Sequence, residues 1–300
     1  MNQKSPADEA RLVDNSAPYL MRPSGDDPAD GRNWILKAIE RTGQAADAAC
    51  HTWAGAFALG NDLMWRALVE FHGAAAAAEA YEAAWARIPE TYRDGARKIF
   101  TFASDSAPYG LALEIETPEM VARSGLSVEE LLIFWNKAFV AQDHEMWQAL
   151  EHRFGAREGL IVYSRVWEGY ALTFLEFIKA AIGVDKFEST EDLAKMNRAF
   201  WEAIACEVED IETTPDKHIA VITTCPFWDN MIDMYGKDRA HRMHQKTIGA
   251  TSANYYQALM KAIGLWDEFY ATQDQYRCLG DGQCRMVYVR RSVMEKEGVG

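Results

Sequence analysis

Two stretches of 33 residues decide the fold: WAGAFALGNDLMWRALVEFHGAAAAAEAYEAAW at positions 53–85 and WNKAFVAQDHEMWQALEHRFGAREGLIVYSRVW at positions 135–167. They align without a gap at an offset of 82 residues and share 11 identities. Among these are Trp53/Trp135, Phe57/Phe139, Trp65/Trp147, Gly73/Gly155, Tyr81/Tyr163 and Trp85/Trp167. Such a self-match marks a duplicated structural unit. Ser16-Ala17-Pro18-Tyr19 recurs as Ser106-Ala107-Pro108-Tyr109, which extends the units to residues 15–104 and 105–186 and leaves 1–14 as a flexible N-terminus. Within each unit large residues stand three and four apart, as in Trp65, Leu68 and Val69, a helical period. The shared glycine then breaks the run, so each unit reads as a helical hairpin with an aromatic seam.

A Trp/Tyr stripe at this spacing is packing, because a large buried ring fixes two helices together. His72 and His152, each within three residues of a breaking glycine, read as helix C-terminal residues that interact with the dipole. His51 and His144 are assigned no role, since neighbouring helical positions do not share a face.

From about Asp185 the pattern changes. Thr190 to Cys206 reads as a helix capped by Ser189 or Thr190. Glu207–Thr213 and His218–Thr224 form a hairpin through the turn residues Thr214-Pro215-Asp216. Asp229–Tyr235 is a short helix stopped by Gly236, and Lys237–Ile263 a long one bent near Gly249. Glu268–Tyr276 and Gln283–Arg291 are strands joined by the loop Cys278-Leu279-Gly280-Asp281-Gly282. The predicted fold class is therefore α+β: a duplicated all-helical N-terminal half followed by an antiparallel-sheet domain, residues 187–300, packed with helices.

Composition narrows the partners. The chain has 31 basic and 45 acidic residues, a net charge of −14, and no dense Lys/Arg run. That field repels phosphate backbones and anionic lipid, so neither nucleic acid nor a membrane surface is expected as a partner. No window of about 18 apolar residues occurs, and the N-terminus lacks the charged, apolar and small-residue zones of a signal peptide. Five cysteines at uneven spacing do not make a disulfide scaffold, and a reducing cytoplasm is the expected compartment.

Candidate chemistry collects in the last third. Cys225 follows a strand and starts a helix through Pro226, His241 and His244 share a helix face, and Cys278 and Cys284 bracket a glycine-rich turn. Cys50 and Cys206 lie within predicted helices and read as structural. Three thiols with an imidazole suit zinc or a [4Fe–4S] cluster, although no Cys-x2-Cys pair occurs; the other readings are unmetallated thiols in an active pocket and buried structural cysteines. Cys225 at a helix N-terminus has two readings, an activated nucleophile or a small hydrophobe filling a junction.

Cys225-Pro226-Phe227, Tyr235-Gly236, His244 and Cys278-Leu279-Gly280-Asp281-Gly282-Gln283-Cys284 resemble the C-terminal region of the L-2-amino-thiazoline-4-carboxylic acid hydrolase-like family. The resemblance covers residues 135–291, with the first helical unit an added copy. His244 stands where the family has a cysteine, and Met286 where it has an aromatic residue. The family implies hydrolytic ring opening, or C–S/C–N cleavage, of a small cyclic amidine-like substrate. On that basis Cys225, His244, Cys278 and Cys284 would hold a metal, with either His241 or His244 as the imidazole ligand. Asp281 or Asp229 would act as general base, Cys225 as nucleophile if no metal is present, and Arg285, Arg242 and Trp228 would bind substrate. Asp281 is also an ordinary turn residue. Two alternatives use the same residues: an iron–sulfur enzyme, and a ligand-binding sensor resembling vinyl-reductase-type domains. The expected assembly is a monomer or homodimer, with the added helical unit in the place of a partner chain.

Overall fold

The Asn33 side chain accepts a hydrogen bond from the Ile35 N–H and so starts α1 (Trp34–Thr42), which ends at Gly43 in the left-handed region. The computed structural model describes residues 33–100 and 116–297. The tetrapeptide echo at 16–19 and 106–109 and the 1–14 segment lie outside them. Next comes α2 (Ala46–Arg87), then α3 (Glu90–Ile99), α4 (Thr117–Ser124) and α5 (Val128–Ile182).

Both α2 and α5 are broken by the repeated glycine. Gly73 has φ 75° and ψ 161°, and Gly155 has φ 80° and ψ 165°. That region of backbone space is open to glycine almost alone. Each break folds the chain back on itself. The Tyr81 hydroxyl donates to Asn61 Oδ1 at 2.5 Å, and at the equivalent positions of the second unit the Tyr163 hydroxyl donates to Asp143 Oδ1 at 2.7 Å. Residues 20 apart on an unbroken helix would stand roughly 30 Å apart. The edge-on pairs Trp65/Tyr81 and Trp147/Tyr163, with centroids 6.2 and 5.5 Å apart, are the aromatic seams of the two hairpins.

The hairpins meet as equals. Trp53 packs on Phe139 with ring centroids 5.4 Å apart, and the equivalent pair, Phe57 on Trp135, lies at 5.3 Å. His72 stacks on Phe154, its own counterpart in the second unit, at 4.0 Å. This reciprocal pattern is that of a twofold dimer interface, formed inside one chain. His72 is thus a packing residue on the local axis.

The second half is built on α5. Ser189 and Asp192 form a capping box that starts α6 (Thr190–Ala203). The hairpin follows as β1 (Glu207–Thr214) and β2 (Lys217–Thr224), then α7 (Pro226–Tyr235) and α8 (Lys237–Ile248). The predicted bend at Gly249 is a π-helical turn, Gly249–Asn254, tied to α5 by Asn254 Nδ2 donating to Ser164 Oγ at 3.0 Å. After it come α9 (Tyr255–Ala262), β3 (Phe269–Gln275), a 3-10 turn at Arg277–Leu279, β4 (Cys284–Arg290) and α10 (Arg291–Glu297). The sheet is antiparallel throughout, in the order β1-β2-β4-β3. Register places Ala220, Met286 and Gln273 in one row and Ile222 beside Cys284 in the next, on the face turned toward the helices. The buried core runs without interruption from the hairpins to this face. No helix among the described residues is long and apolar enough to cross a membrane.

A Cβ at residue 155 would meet open space, so Gly155→Ala isolates the backbone requirement. It should lower the unfolding free energy by about 1–3 kcal/mol in urea titrations. Asp143 is buried, its Oδ2 has no partner, and burial raises its carboxyl to about 7 against the pull of the Tyr163 hydrogen bond. The unfolded chain releases that proton near pH 4. The stability it contributes is therefore complete below about pH 4 and lost as pH rises through 7. Asp143→Asn copies Asn61 of the first unit. It should unfold at higher urea than the parent at pH 8, by about 1 kcal/mol or more, with the two midpoints converging toward pH 4.

Candidate functional site

Where the hairpins meet the sheet lies a cavity of about 130 Å³. That is close to the roughly 150 Å³ of an apolar cavity able to hold benzene. Its walls are largely aromatic: Phe139, Trp167 and Tyr170 from α5, Phe200 and Trp201 from α6, and Tyr255 and Tyr256 from α9. Trp53 and Ala56 come from the first helical unit, which thus supplies part of the wall. Tyr170 reaches across to donate to the Ala56 carbonyl at 2.8 Å, an approach that a Cβ at Gly60 would block. The π-helical turn adds Thr251 and Ser252. Inserted turns of this kind recur at functional sites because they redirect side chains without ending the helix.

One end of the cavity is polar. Strand β2 ends at Thr224, Cys225 is the N-cap of α7, and Pro226 occupies the first helical position, where no N–H is needed. Cys284 opens β4, and Cys278 sits in the 3-10 turn. These three cysteines line the cavity together with Trp228, His244 and Arg277. Each retains some accessible area because the cavity itself admits solvent, although all lie within the protein.

The thiols are not alike. The neighbouring Cys206 thiol favours negative charge on the Cys225 sulfur, as do the Trp228 N–H in the first turn of α7 and the Arg277 guanidinium. Together they outweigh burial and the Asp229 carboxylate and hold Cys225 below its usual range. Burial pushes Cys278 well up and Cys284 up to about 12. Of the cysteines on the cavity wall, only Cys225 is shifted toward thiolate.

Arg277 and Asp229 form an ion pair at 3.1 and 3.5 Å, with 2% and 5% of their surfaces exposed. Burial raises the Asp229 carboxyl and the Arg277 charge pulls it back. The two charges cancel within the wall. His244 is buried, Phe227 and Trp228 pack edge-on to its ring, and neither ring nitrogen has a hydrogen-bond partner. Burial first, then the neighbouring His144 and His241, pull it down to about 3, so it stands neutral at physiological pH. The indole N–H groups of Trp53 and Trp228 are also without partners. A ligand in the cavity therefore meets several free polar atoms but no net charge from Arg277 and Asp229.

Several sequence expectations are corrected. Arg285 is not a wall residue: it lies on the sheet face opposite Cys284 and pairs with Asp274 at 2.8 Å. Arg242 is exposed on the far side of α8 from His244. Asp281 accepts the Tyr276 N–H at 2.6 Å and shapes the turn, its ordinary role, without lining the cavity. Cys206 is not inside a helix. It lies between α6 and β1 and belongs to the thiol cluster. His144 is also engaged: its Nδ1 lies 3.0 Å from Glu145 Oε1 and its ring stacks on Tyr235 at 3.8 Å. His241 holds the Cys278 carbonyl through Nδ1 at 3.0 Å, a contact that steadies the turn.

Among the described residues no group of three or more His, Cys, Asp or Glu side chains is arranged so that it could hold a metal ion. The expected centre of Cys225, His244, Cys278 and Cys284 is therefore not such a group, although all four line the cavity. Cys284 instead accepts the Arg277 N–H at 3.4 Å. No family model, curated protein or solved structure matches this chain. The chemistry is therefore read from the site itself.

Removing one half of the buried ion pair strands the other charge. Arg277→Met should lower the unfolding free energy by about 3–5 kcal/mol, and Arg277→Met with Asp229→Leu should restore most of it in urea titrations.

Proposed function

We propose that this protein is a cysteine-dependent enzyme that opens a small, uncharged heterocycle by cleaving a C–N or C–S bond, with Cys225 as nucleophile. The observation that carries this reading is the position of Cys225. It is the one thiol of the cavity wall shifted toward thiolate, and it faces a space the size of a single ring. The sequence resemblance to amino-thiazoline hydrolases points to the same class of bond. It also implies a substrate carboxylate, but neither arginine it suggests reaches the cavity, and Arg277 is neutralised by Asp229.

The reaction consumes one water and involves no net oxidation. The Cys225 thiolate forms a bond to the ring carbon flanked by nitrogen and a second heteroatom. The C=N electron pair moves to nitrogen, which takes a proton from water. Collapse of this adduct breaks the bond to the second heteroatom, which leaves with a proton as an amine or thiol. The opened chain remains on sulfur. Water then adds to that carbon and Cys225 departs as thiolate. Neutral His244 orients the ring by a hydrogen bond, and the Arg277 N–H groups not used by Asp229 face the developing negative charge. The aromatic walls stack on the flat ring and limit water.

The predominantly aromatic lining also favours a second reading, a binding module that holds an aromatic molecule without transforming it. One experiment separates the two. The protein is incubated with uncharged thiazolines and cyclic amidines, and products and protein are followed by mass spectrometry. Ring-opened product 18 Da heavier than substrate, a transient adduct on Cys225, and at least a hundredfold loss of rate in Cys225→Ser are the expected results. Full turnover by Cys225→Ser would overturn the nucleophile, and recovery of a tightly bound compound unchanged would favour the binding module.

A further inference from the structure

The two strands of the first hairpin bring together a pair of cysteines at their open ends. The ladder runs from Thr214↔Lys217 beside the turn to Glu207↔Thr224. Continued one residue beyond the ladder, the same register sets Cys206, just before β1, opposite Cys225, the N-cap of α7. The two residues do not bond to each other through the backbone: the Cys206 N–H donates to the Trp201 carbonyl at 2.9 Å, and the Cys225 carbonyl accepts the Asp229 N–H at 2.9 Å. Directly opposed residues of this non-hydrogen-bonded kind have Cα atoms about 4.5 Å apart. A disulfide spans about 4.4–6.8 Å between Cα atoms.

The side chains agree with the register. The two side chains act on each other electrostatically, and both cysteines are free. Ala205, the one residue other than glycine with positive φ among those described, at 59°, turns the chain out of α6 and directs Cys206 to this place. The other cavity thiols are held elsewhere. Cys284 stands opposite Ile222 and accepts the Arg277 N–H, and Cys278 lies in the turn below His241. Access is one-sided: Cys225 lines the cavity, whereas Cys206 is fully buried behind it.

We infer that Cys206 and Cys225 are a redox modification site, closed to a reversible disulfide by a hydroperoxide that enters the cavity and opened again by a thiol reductant. Cys225 attacks the peroxide oxygen and breaks the O–O bond, giving a sulfenic acid and releasing an alcohol, or water when the oxidant is hydrogen peroxide. The Cys206 sulfur then displaces hydroxide from the Cys225 sulfur, and the thiol proton leaves with it as water. Two thiols lose two electrons and two protons, and the peroxide is reduced by the same amount. A thiol reductant reverses the step by exchange through a mixed disulfide. The disulfide stands on the hairpin geometry alone. Its consequence, a site switched off by oxidation, rests on the reading of Cys225 as nucleophile.

The test uses the full chain treated with hydrogen peroxide, alkylated, digested without reduction and mapped by mass spectrometry. The expected product is a peptide pair joined through Cys206 and Cys225, 2 Da lighter than the two thiols together and separated by dithiothreitol. In Cys206→Ser, the same dose should instead carry Cys225 on to sulfinic acid, with no cross-link. Pairing of Cys225 with Cys278 or Cys284, or a Cys225 that stays reduced at a dose that oxidises other cysteines, would overturn the inference. Wild-type mapping needs no variant, so a poorly folded substitution cannot obscure the result. Ring-opening activity, measured in parallel, should fall at least tenfold on oxidation and return on reduction. A cross-link in a protein whose Cys225→Ser form keeps full turnover would leave the disulfide standing and remove the nucleophile. Loss of turnover in Cys225→Ser with no cross-link would do the reverse.

Discussion

Trp53 against Phe139, and Phe57 against Trp135, hold the two helical hairpins face to face, and the site is assembled on that contact. Each ring pair adds about 0.5–1.5 kcal/mol beyond the area it buries. Because the pairs are reciprocal, displacing one hairpin would open both at once. Trp53 and Phe139 are also cavity wall, so the packing that joins the hairpins shapes the space a ligand would occupy. The second unit departs from the first where the site needs it. Its helix continues past Trp167, the counterpart of Trp85, and adds Tyr170 and Phe174 to the wall.

The sheet closes the cavity with polar groups that a wholly apolar core would exclude. Burying Arg277 and Asp229 is costly, and their mutual attraction offsets that cost only while both are present. His244 answers the same condition differently, by remaining neutral. What results is a ring-sized space in which one thiol is shifted toward thiolate without a net charge from the ion pair beside it. The Cys206 thiol that favours charge on Cys225 is also the partner proposed for its oxidation, so both properties of this sulfur depend on the same neighbour.

Some of this was legible in the chain. The hairpins followed from helical spacing interrupted at Gly73 and Gly155, and the four strands from alternation and turn residues. Cys225, Cys278, Cys284, His244, Trp228 and Asp229 were identified and do gather at one place. Arg285 and Arg242 were misplaced although periodicity could have excluded them: neighbours on a strand face opposite sides, and residues two apart on a helix diverge. Cys206 had a signal of its own. Counting outward from Pro215-Asp216 pairs it with Cys225, because the two register shifts in the hairpin compensate each other. Arg277 carried no comparable mark, since only the meeting of the 3-10 turn with α7 brings it to Asp229.

What the amino-acid sequence determined by itself was local and periodic: the duplicated units, the glycine breaks, the order of helices and strands, and the acidic surface. These depend on backbone conformational preference and on contacts between residues close in the chain, which spacing encodes. The tertiary structure alone decided which residues far apart in the chain share a wall, which charges are paired, and which thiol is activated. Those properties depend on burial and on the distance between side chains from different elements, and neither is a function of separation along the chain.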